Sequence, residues 1–339
     1  MIKIGLIGCG DWGKNLLRSF ANLPGCVLMA CCDINPKQTE KLRPGYPDVK
    51  FTQDDKEIIE NPNLDAVIIS TPPASHFKLS KAAILADKDV FVEKPLVLDV
   101  AEGKELVKLA EEKKKVLMVG HIMEYHSATL KLKEYIKNGE LGKIHYLYAT
   151  RVNLGKVRDI ENALWSFAPH DISIILFLLE KDPVSVTATG ECYLQKGIED
   201  VAFMTMHFDD GVMAHVHVSW LDPHKDRKIT VVGNKKMAVF DDTQPSEKIW
   251  IFDKGVDTMQ DYNTYGEYLS LRVGDILIPK IESTEPLKVE CQHFIDCVQN
   301  RKTPRSDGRD GLRVLKVLDA AQRSLKMGGT PVKIEDSMQ

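Results

Sequence analysis

The chain has 339 residues, 43% of them hydrophobic, which is enough for two domains of the usual ~100–200 residues with a substantial core. Its formal net charge is −4 with acids and bases interleaved, and this excludes the basic footprint by which proteins settle on nucleic acid. The seven cysteines (Cys9, Cys26, Cys31, Cys32, Cys192, Cys291, Cys297) form no CxxC pair, so they are expected as reduced, small apolar residues of a cytoplasmic protein. The start of the chain turns glycine-rich after seven residues, and the longest apolar run, "IILFLL", is far short of a membrane span.

In chain order, the first third alternates short β-branched runs with amphipathic stretches: "KIGLIG", "GKNLLRSFANL", "VLMACCD", "DAVIIST", "HFKLSKAAILAD", "DVFVEKP", "AEGKELVKLAEEKK" and "VLMVG". This β-α-β rhythm predicts a doubly wound parallel sheet of Rossmann type over residues 1–121, with helices on both faces. After Gly120, "TLKLKEYIKNGELGKI" predicts a helix, "HYLYATRVNL" a strand and "PHDISIILFLLE" a buried helix. Alternating runs follow, joined by Asp-Gly and Gly-Asn turns, as expected of antiparallel hairpins. Residues 122–339 are therefore expected to form an α+β domain on an open, mainly antiparallel sheet. Within 241–284 only "KIWIF" and "YLSLRV" suggest strands. The tail predicts two amphipathic helices, over about 286–327, that can pack back on the first domain, and "PVKI" as a last strand.

Gly8, Gly10 and Gly13 lie between a hydrophobic strand and a helix, with Asp11 and Trp12 inside the loop. Such glycines permit a tight turn, close approach of a pyrophosphate to backbone, and close helix packing. The second strand ends at Asp33, twenty residues past Gly13, where an acid bonds the ribose hydroxyls of an adenosine. A carboxylate repels a ribose phosphate, so NAD is preferred over NADP, although Lys37 softens that preference. Ser70, Thr71, Pro72 and Pro73 end the fourth strand and are expected along the cofactor crevice, with His76 opening the next helix; a rigid loop with no cofactor role fits the same residues. The fifth strand ends in Glu93, Lys94 and Pro95, at the edge where nicotinamide and substrate meet, and the proline is compatible with a cis peptide bond.

Together "GLIGCGDWG", "STPPASH", "VEKPL" and the tail "FIDCVQNRKTPRSDGRDGLRVLKVLDAAQRS" resemble the glucose-fructose oxidoreductase, inositol dehydrogenase and MocA (Gfo/Idh/MocA) family over nearly the whole chain. The resemblance implies a Rossmann domain followed by an α+β domain whose open sheet makes the face of a homodimer or homotetramer. It also implies that Lys94 contacts the reacting hydroxyl and that a second-domain helix supplies a DxxxH pair. In "LWSFAPHDISI" the histidine carries over to His170, but Ser166 stands at the aspartate position. Either Asp171 or another acid then orients His170, or His170 works with Lys94 alone. His170 is expected as principal base because its unperturbed pKa is about 6.5, against about 10.4 for Lys94, the expected polariser. The reverse assignment stays open.

"ATRVNLGKVRDIENALW" places Arg151, Asn153, Lys156 and Arg158 ahead of the His170 helix, where they could meet a pyrophosphate. The same stretch with "APHDIS" resembles family members acting on nucleotide sugars, notably the UDP-N-acetylglucosamine and UDP-N-acetylglucosaminuronate 3-dehydrogenases. The implied reaction is NAD-dependent oxidation of the C3 hydroxyl of a UDP-linked amino sugar, with Trp165, Asp171 and Tyr125 also on the substrate side. Two alternatives stay open: a dehydrogenase or ketoreductase of a free sugar or inositol, and a non-catalytic NAD-binding regulator. His215 with His217, and His121 with His126, lack a third ligand at useful spacing, so no metal is expected.

Overall fold

The computed structural model describes residues 1–155, 157–258 and 269–334; Lys156 and the Tyr268 end of "YLSLRV" lie outside them. Contacts divide the chain into two units, Met1–Tyr125 with Thr284–Lys316, and His126–Ser283 with the chain from Val317 onward.

The first unit opens with β1 (Ile2–Ile7), α1 (Gly13–Ala21), β2 (Cys26–Cys32), α2 (Pro36–Leu42), β3 (Lys50–Thr52) and α3 (Lys56–Ile59). It continues with β4 (Ala66–Ile69), α4 (His76–Leu85), β5 (Asp89–Glu93), α5 (Val100–Glu112) and β6 (Leu117–Gly120). The strands form one parallel sheet in the order β3-β2-β1-β4-β5-β6, the reversal from β1 to β4 being the point where such folds open a ligand crevice. β4 is buried at every position, as a strand covered on both faces must be.

The second unit begins with α6 (Ser127–Lys137), β7 (Ile144–Val152) and α7 (Ala163–Leu179). Asn162 caps α7 by accepting a hydrogen bond from the Trp165 N–H at 3.0 Å, and the helix runs through Pro169, so it starts well before the predicted stretch. The following strands are β8 (Ser185–Glu191), β9 (Val201–His207), β10 (Met213–Ser219), β11 (Asp226–Gly233), β12 (Met237–Asp241), β13 (Ile249–Thr258) and β14 (Leu269–Leu277). They join a nine-stranded sheet, β14-β13-β12-β11-β7-β10-β9-β8-β15, in which only β7 and β10 run parallel. Its inner residues, among them Leu147, Ala188, Met204 and Val216, are buried on the side covered by α7.

The tail supplies α8 (Pro286–Asn300), α9 (Gly308–Lys326) and β15 (Val332–Lys333), which pairs with β8. α8 belongs to the first unit: Phe294 packs edge-on against Phe20 and Phe91, with centroids 6.4 and 5.7 Å apart, in a core far removed from it in sequence.

Candidate functional site

The three glycines of the first turn differ in what surrounds them. Gly8 has φ +92°, and a Cβ there would lie 2.5 Å from the Ser70 carbonyl oxygen. A Cβ on Gly13 would lie 2.1 Å from the Gly8 carbonyl oxygen, so turn and helix pack too closely for any side chain. A Cβ on Gly10 would meet nothing within 4 Å. The N-cap of α1, Trp12, makes no side-chain capping bond and the first turn carries no acid, while the Lys14 and Asn15 N–H groups donate to the Gly10 and Trp12 carbonyls at 3.3 and 2.8 Å. Two packed glycines flanking an open one at an uncapped helix start make a cradle that fits a dinucleotide pyrophosphate.

Asp33 closes this turn from β2. Its Oδ2 accepts from the Cys9 N–H at 2.8 Å and its Oδ1 from the Asn35 N–H at 2.9 Å. The carboxylate is held in place by backbone and keeps further lone pairs for hydroxyl donors. On the other side of the crevice, Thr71 Oγ1 accepts from Ser75 Oγ at 2.6 Å. His76 is fully buried rather than displayed to a ligand. Its ring nitrogens lie 2.9 Å from the Thr71 carbonyl oxygen and 2.8 Å from that of Pro95, so it ties the loop after β4 to the turn after β5. Burial lowers its pKa.

The Lys94–Pro95 bond is cis. Glu93 accepts a hydrogen bond from the Trp12 indole N–H at 2.5 Å, so the glycine turn and the end of β5 are joined through it. Burial pushes the Glu93 carboxyl up to about 7, against the opposing pull of the Trp12 bond and the Lys94 charge. In the parallel register Glu93 pairs with Gly120, and a Cβ on that glycine would lie 2.9 Å from the Glu93 carboxylate. Lys94 therefore leaves β5 beside His121, the residue following β6.

His121 carried no site role in the sequence reading. It is 1% exposed, and neither ring nitrogen has a hydrogen-bond partner among the described residues. Burial, then the Lys94 charge, hold its pKa down to about 3. The available signal was its position one residue beyond a strand end at the cofactor edge. Tyr125 is a correction. Expected against sugar or cofactor, it lies fully inside the first unit's core, with its hydroxyl 3.0 Å from Ser306 Oγ and the Arg305 guanidinium 4.7 Å from the ring centre. The tail packs over the short 3-10 turn Ile122–Tyr125 and encloses the ring.

In the second unit, β7 and α7 present Arg151 and Asp171 to each other. Arg151 donates from Nε to Asp171 Oδ2 at 2.7 Å and from its Nη2 to Oδ1 at 2.9 Å, with both side chains buried. The Asp171 charge and hydrogen bonds outweigh burial and raise the Arg151 pKa, so the guanidinium stays charged. Each oxygen of Asp171 thus accepts one guanidinium N–H, and neighbouring positions of a helix point to different sides. Arg151 and Asp171, expected on the substrate side, are held to each other in a buried ion pair. Arg158 is half exposed and pairs with Glu161 at 3.0 Å. Trp165 donates its indole N–H to Gln322 Oε1 at 3.0 Å, whereas Asn153 keeps a buried amide oxygen with no partner among the described residues. Ser166 is buried one turn before His170 on α7. Among the described residues no group of three or more His, Cys, Asp or Glu side chains is arranged to hold a metal ion, and no helix is long and apolar enough to cross a membrane.

Comparison with known proteins is consistent with this geometry. Residues 2–121 match the model of the oxidoreductase family with an NAD-binding Rossmann fold, and residues 129–239 match the Gfo/Idh/MocA C-terminal domain. The chain belongs to the Gfo/Idh/MocA oxidoreductase family. It is 28% identical to the scyllo-inositol 2-dehydrogenase (NAD(+)) of Bacillus subtilis, over 98% of this chain and 96% of that protein. It is 25% identical to the UDP-N-acetylglucosamine 3-dehydrogenase of Acidithiobacillus ferrooxidans, over 93% of this chain and 94% of the relative. Among solved structures, scyllo-inositol dehydrogenase of Lactobacillus casei with bound NAD(H) and scyllo-inositol superimposes with a TM-score of 0.80 at 19% identity, covering 98% of this chain and 99% of that one. This Gfo/Idh/MocA member is an NAD-binding oxidoreductase, and its glycine turn and Asp33 are the residues that fit the cofactor.

Proposed function

We propose that this Gfo/Idh/MocA protein oxidises a secondary hydroxyl on a sugar-type ring, with Lys94 and His170 as its catalytic residues. The observation carrying this reading is the placement of Lys94 at the carboxyl end of β5, joined through Glu93 and Trp12 to the glycine turn. NAD, when bound, accepts the hydride. Lys94 polarises the reacting oxygen as an ammonium donor, and His170, whose imidazole is the side-chain type suited to general-base work, takes the hydroxyl proton. Glu93 and His76 hold the lysine turn from two sides.

The substrate reading is the C3 hydroxyl of a UDP-linked amino sugar or its uronate, supported by the likeness of residues 151–171 to nucleotide-sugar enzymes and by the Acidithiobacillus relative. Arg158 is then the cation for the diphosphate. A free inositol or sugar is the second reading, favoured by the enclosure of Arg151 with Asp171, which takes one cation away from an anionic ligand. Assembly through the nine-stranded sheet, as a dimer or tetramer, is supported by its outer face. There, register lines Tyr146 with Met213, and Tyr148 with His215, and the two tyrosines and Met213 are about 40% exposed.

The test is to incubate the protein with NAD and a panel of UDP-sugars, UDP-sugar acids, free hexoses and inositols, following reduced-cofactor absorbance and product mass. Turnover confined to UDP-sugars is expected from the first reading, and turnover confined to free cyclitols establishes the second. Lys94→Met should lower kcat by roughly 10²–10⁴-fold on whichever substrate reacts. NAD binding without turnover on any member of the panel would instead mark a cofactor-binding regulator.

A further inference from the structure

His121 is placed for a task that the proposed mechanism has not assigned. β5 and β6 are parallel neighbours with Glu93 opposite Gly120, so Lys94 and His121 emerge side by side at the carboxyl edge of the sheet. The His121 backbone is fixed from both sides: its N–H donates to the Val119 carbonyl at 2.7 Å, and its carbonyl accepts from the Glu124 N–H at 3.0 Å. The ring is buried with both nitrogens unpartnered among the described residues. Lys94 is the charge that acts on it, while the Glu93 carboxylate lies against Gly120, the adjacent residue, with Glu290 behind Glu93.

An imidazole with its pKa held near 3 is neutral across the working range, so it presents one N–H and one lone pair and does not compete for the substrate's proton. A buried lone pair without a donor is unfavourable, and the neighbouring ammonium carries three donors on a flexible stem. Resting on the reading of Lys94 given above, we propose that His121 is a positioning residue for that lysine. In the working site its ring nitrogen accepts one N–H of the ammonium, which aims a second N–H at the oxygen of the reacting alcohol. The acceptor also stabilises the ammonium form, so its removal lowers the Lys94 pKa and moves the alkaline limb of the pH profile to lower pH.

The test compares His121→Phe and His121→Asn in the full chain, using NAD with the substrate found by the panel. His121→Phe should lower kcat by roughly 10–100-fold and shift the alkaline limb of kcat/KM down by about half a unit, with NAD affinity within about twofold of wild type. His121→Asn, which keeps an acceptor, should recover most of both. A His121→Phe enzyme with wild-type kcat and an unmoved alkaline limb would overturn the proposal, as would His121→Asn no better than His121→Phe at unchanged NAD affinity. A second measurement needs no turnover: in the NAD-loaded protein the ¹⁵N shift of the His121 acceptor nitrogen should change on Lys94→Met, and an identical shift in both proteins refutes the contact. Wild-type turnover by Lys94→Met would instead sink the catalytic reading of Lys94, so the two failures are told apart.

Discussion

In the unit of the parallel sheet, carboxyl groups are buried with their pKa raised, whereas in the nine-stranded sheet the buried Arg151 is gripped by both oxygens of Asp171. Glu290 on α8 is fully enclosed, and its carboxyl oxygens have no hydrogen-bond partner among the described residues; burial first, then the Glu93 charge, push its pKa well up. Burial and then Asp310 act likewise on Glu124, against the opposing Arg305 charge. The difference separates two uses of buried charge. A matched ion pair stays ionised and fixes a strand against a helix, whereas an isolated carboxyl becomes a neutral acid whose state follows pH and neighbouring charge. The first is architecture, and the second belongs to the edge of the sheet that carries Lys94.

The comparison breaks most readily at Asp171. Asp171→Asn leaves a permanently charged guanidinium buried without its counterion, so chemical denaturation should show a loss of about 3–5 kcal/mol. Replacing both partners, Arg151→Met with Asp171→Leu, should recover most of that loss, because the penalty lies in the orphaned charge rather than in the missing attraction. A single Asp171→Asn variant within about 1 kcal/mol of wild type would mean that the pair is not a structural unit.

Glu290 should show the opposite sign. Its folded pKa is raised above 4.5, so the stability linked to its proton is fully present below about 4.5 and is lost as pH rises through the folded value. Glu290→Met removes that dependence. It should stabilise the protein by about 1–3 kcal/mol at pH 8 and by less at pH 4, as read from thermal unfolding across that range. A gain independent of pH would show that packing, not ionisation, separates the two proteins.

What the sequence disclosed of this divides along the same line. Gly8 and Gly13 were legible because each answers a steric demand of the turn, Gly10 because it stands at a fixed spacing between them, and Asp33 because its spacing from them is set by one strand and one helix. The fold class followed from hydrophobic period, which is also local. Arg151 was not legible: three cations stand along 151–158, and only a strand-to-helix pairing shows which of them points inward. Residues 241–284 lost their period because β13 and β14 shift register between Phe252 and Lys254, and a bulge exchanges the two faces of a strand. Pro169 delayed the expected start of α7, whereas the Asn162 cap, seven residues earlier, sets its real one.

Tyr125 offers the finest test, since sequence placed it near the ligand and structure places it in the core. What encloses it comes from more than 160 residues downstream: Ser306, 3.0 Å from its hydroxyl, and His293, whose ring centre is 5.3 Å away. Local pattern cannot anticipate such partners. Tyr125→Phe removes one hydroxyl from a buried hydrogen-bonded pair and leaves the ring packing intact, so the expected loss of stability is about 1 kcal/mol. The Ser306 Oγ also donates to the Val119 carbonyl at 2.7 Å and keeps that partner after the substitution, whereas the Ser306 N–H, which donates to the Tyr125 hydroxyl at 3.3 Å, loses its acceptor. The kcat/KM for the reacting sugar should stay within about twofold of wild type, since this aromatic ring touches core and tail rather than ligand. A selective rise in KM at unchanged stability would return Tyr125 to the substrate side and require the tail to move when the site fills.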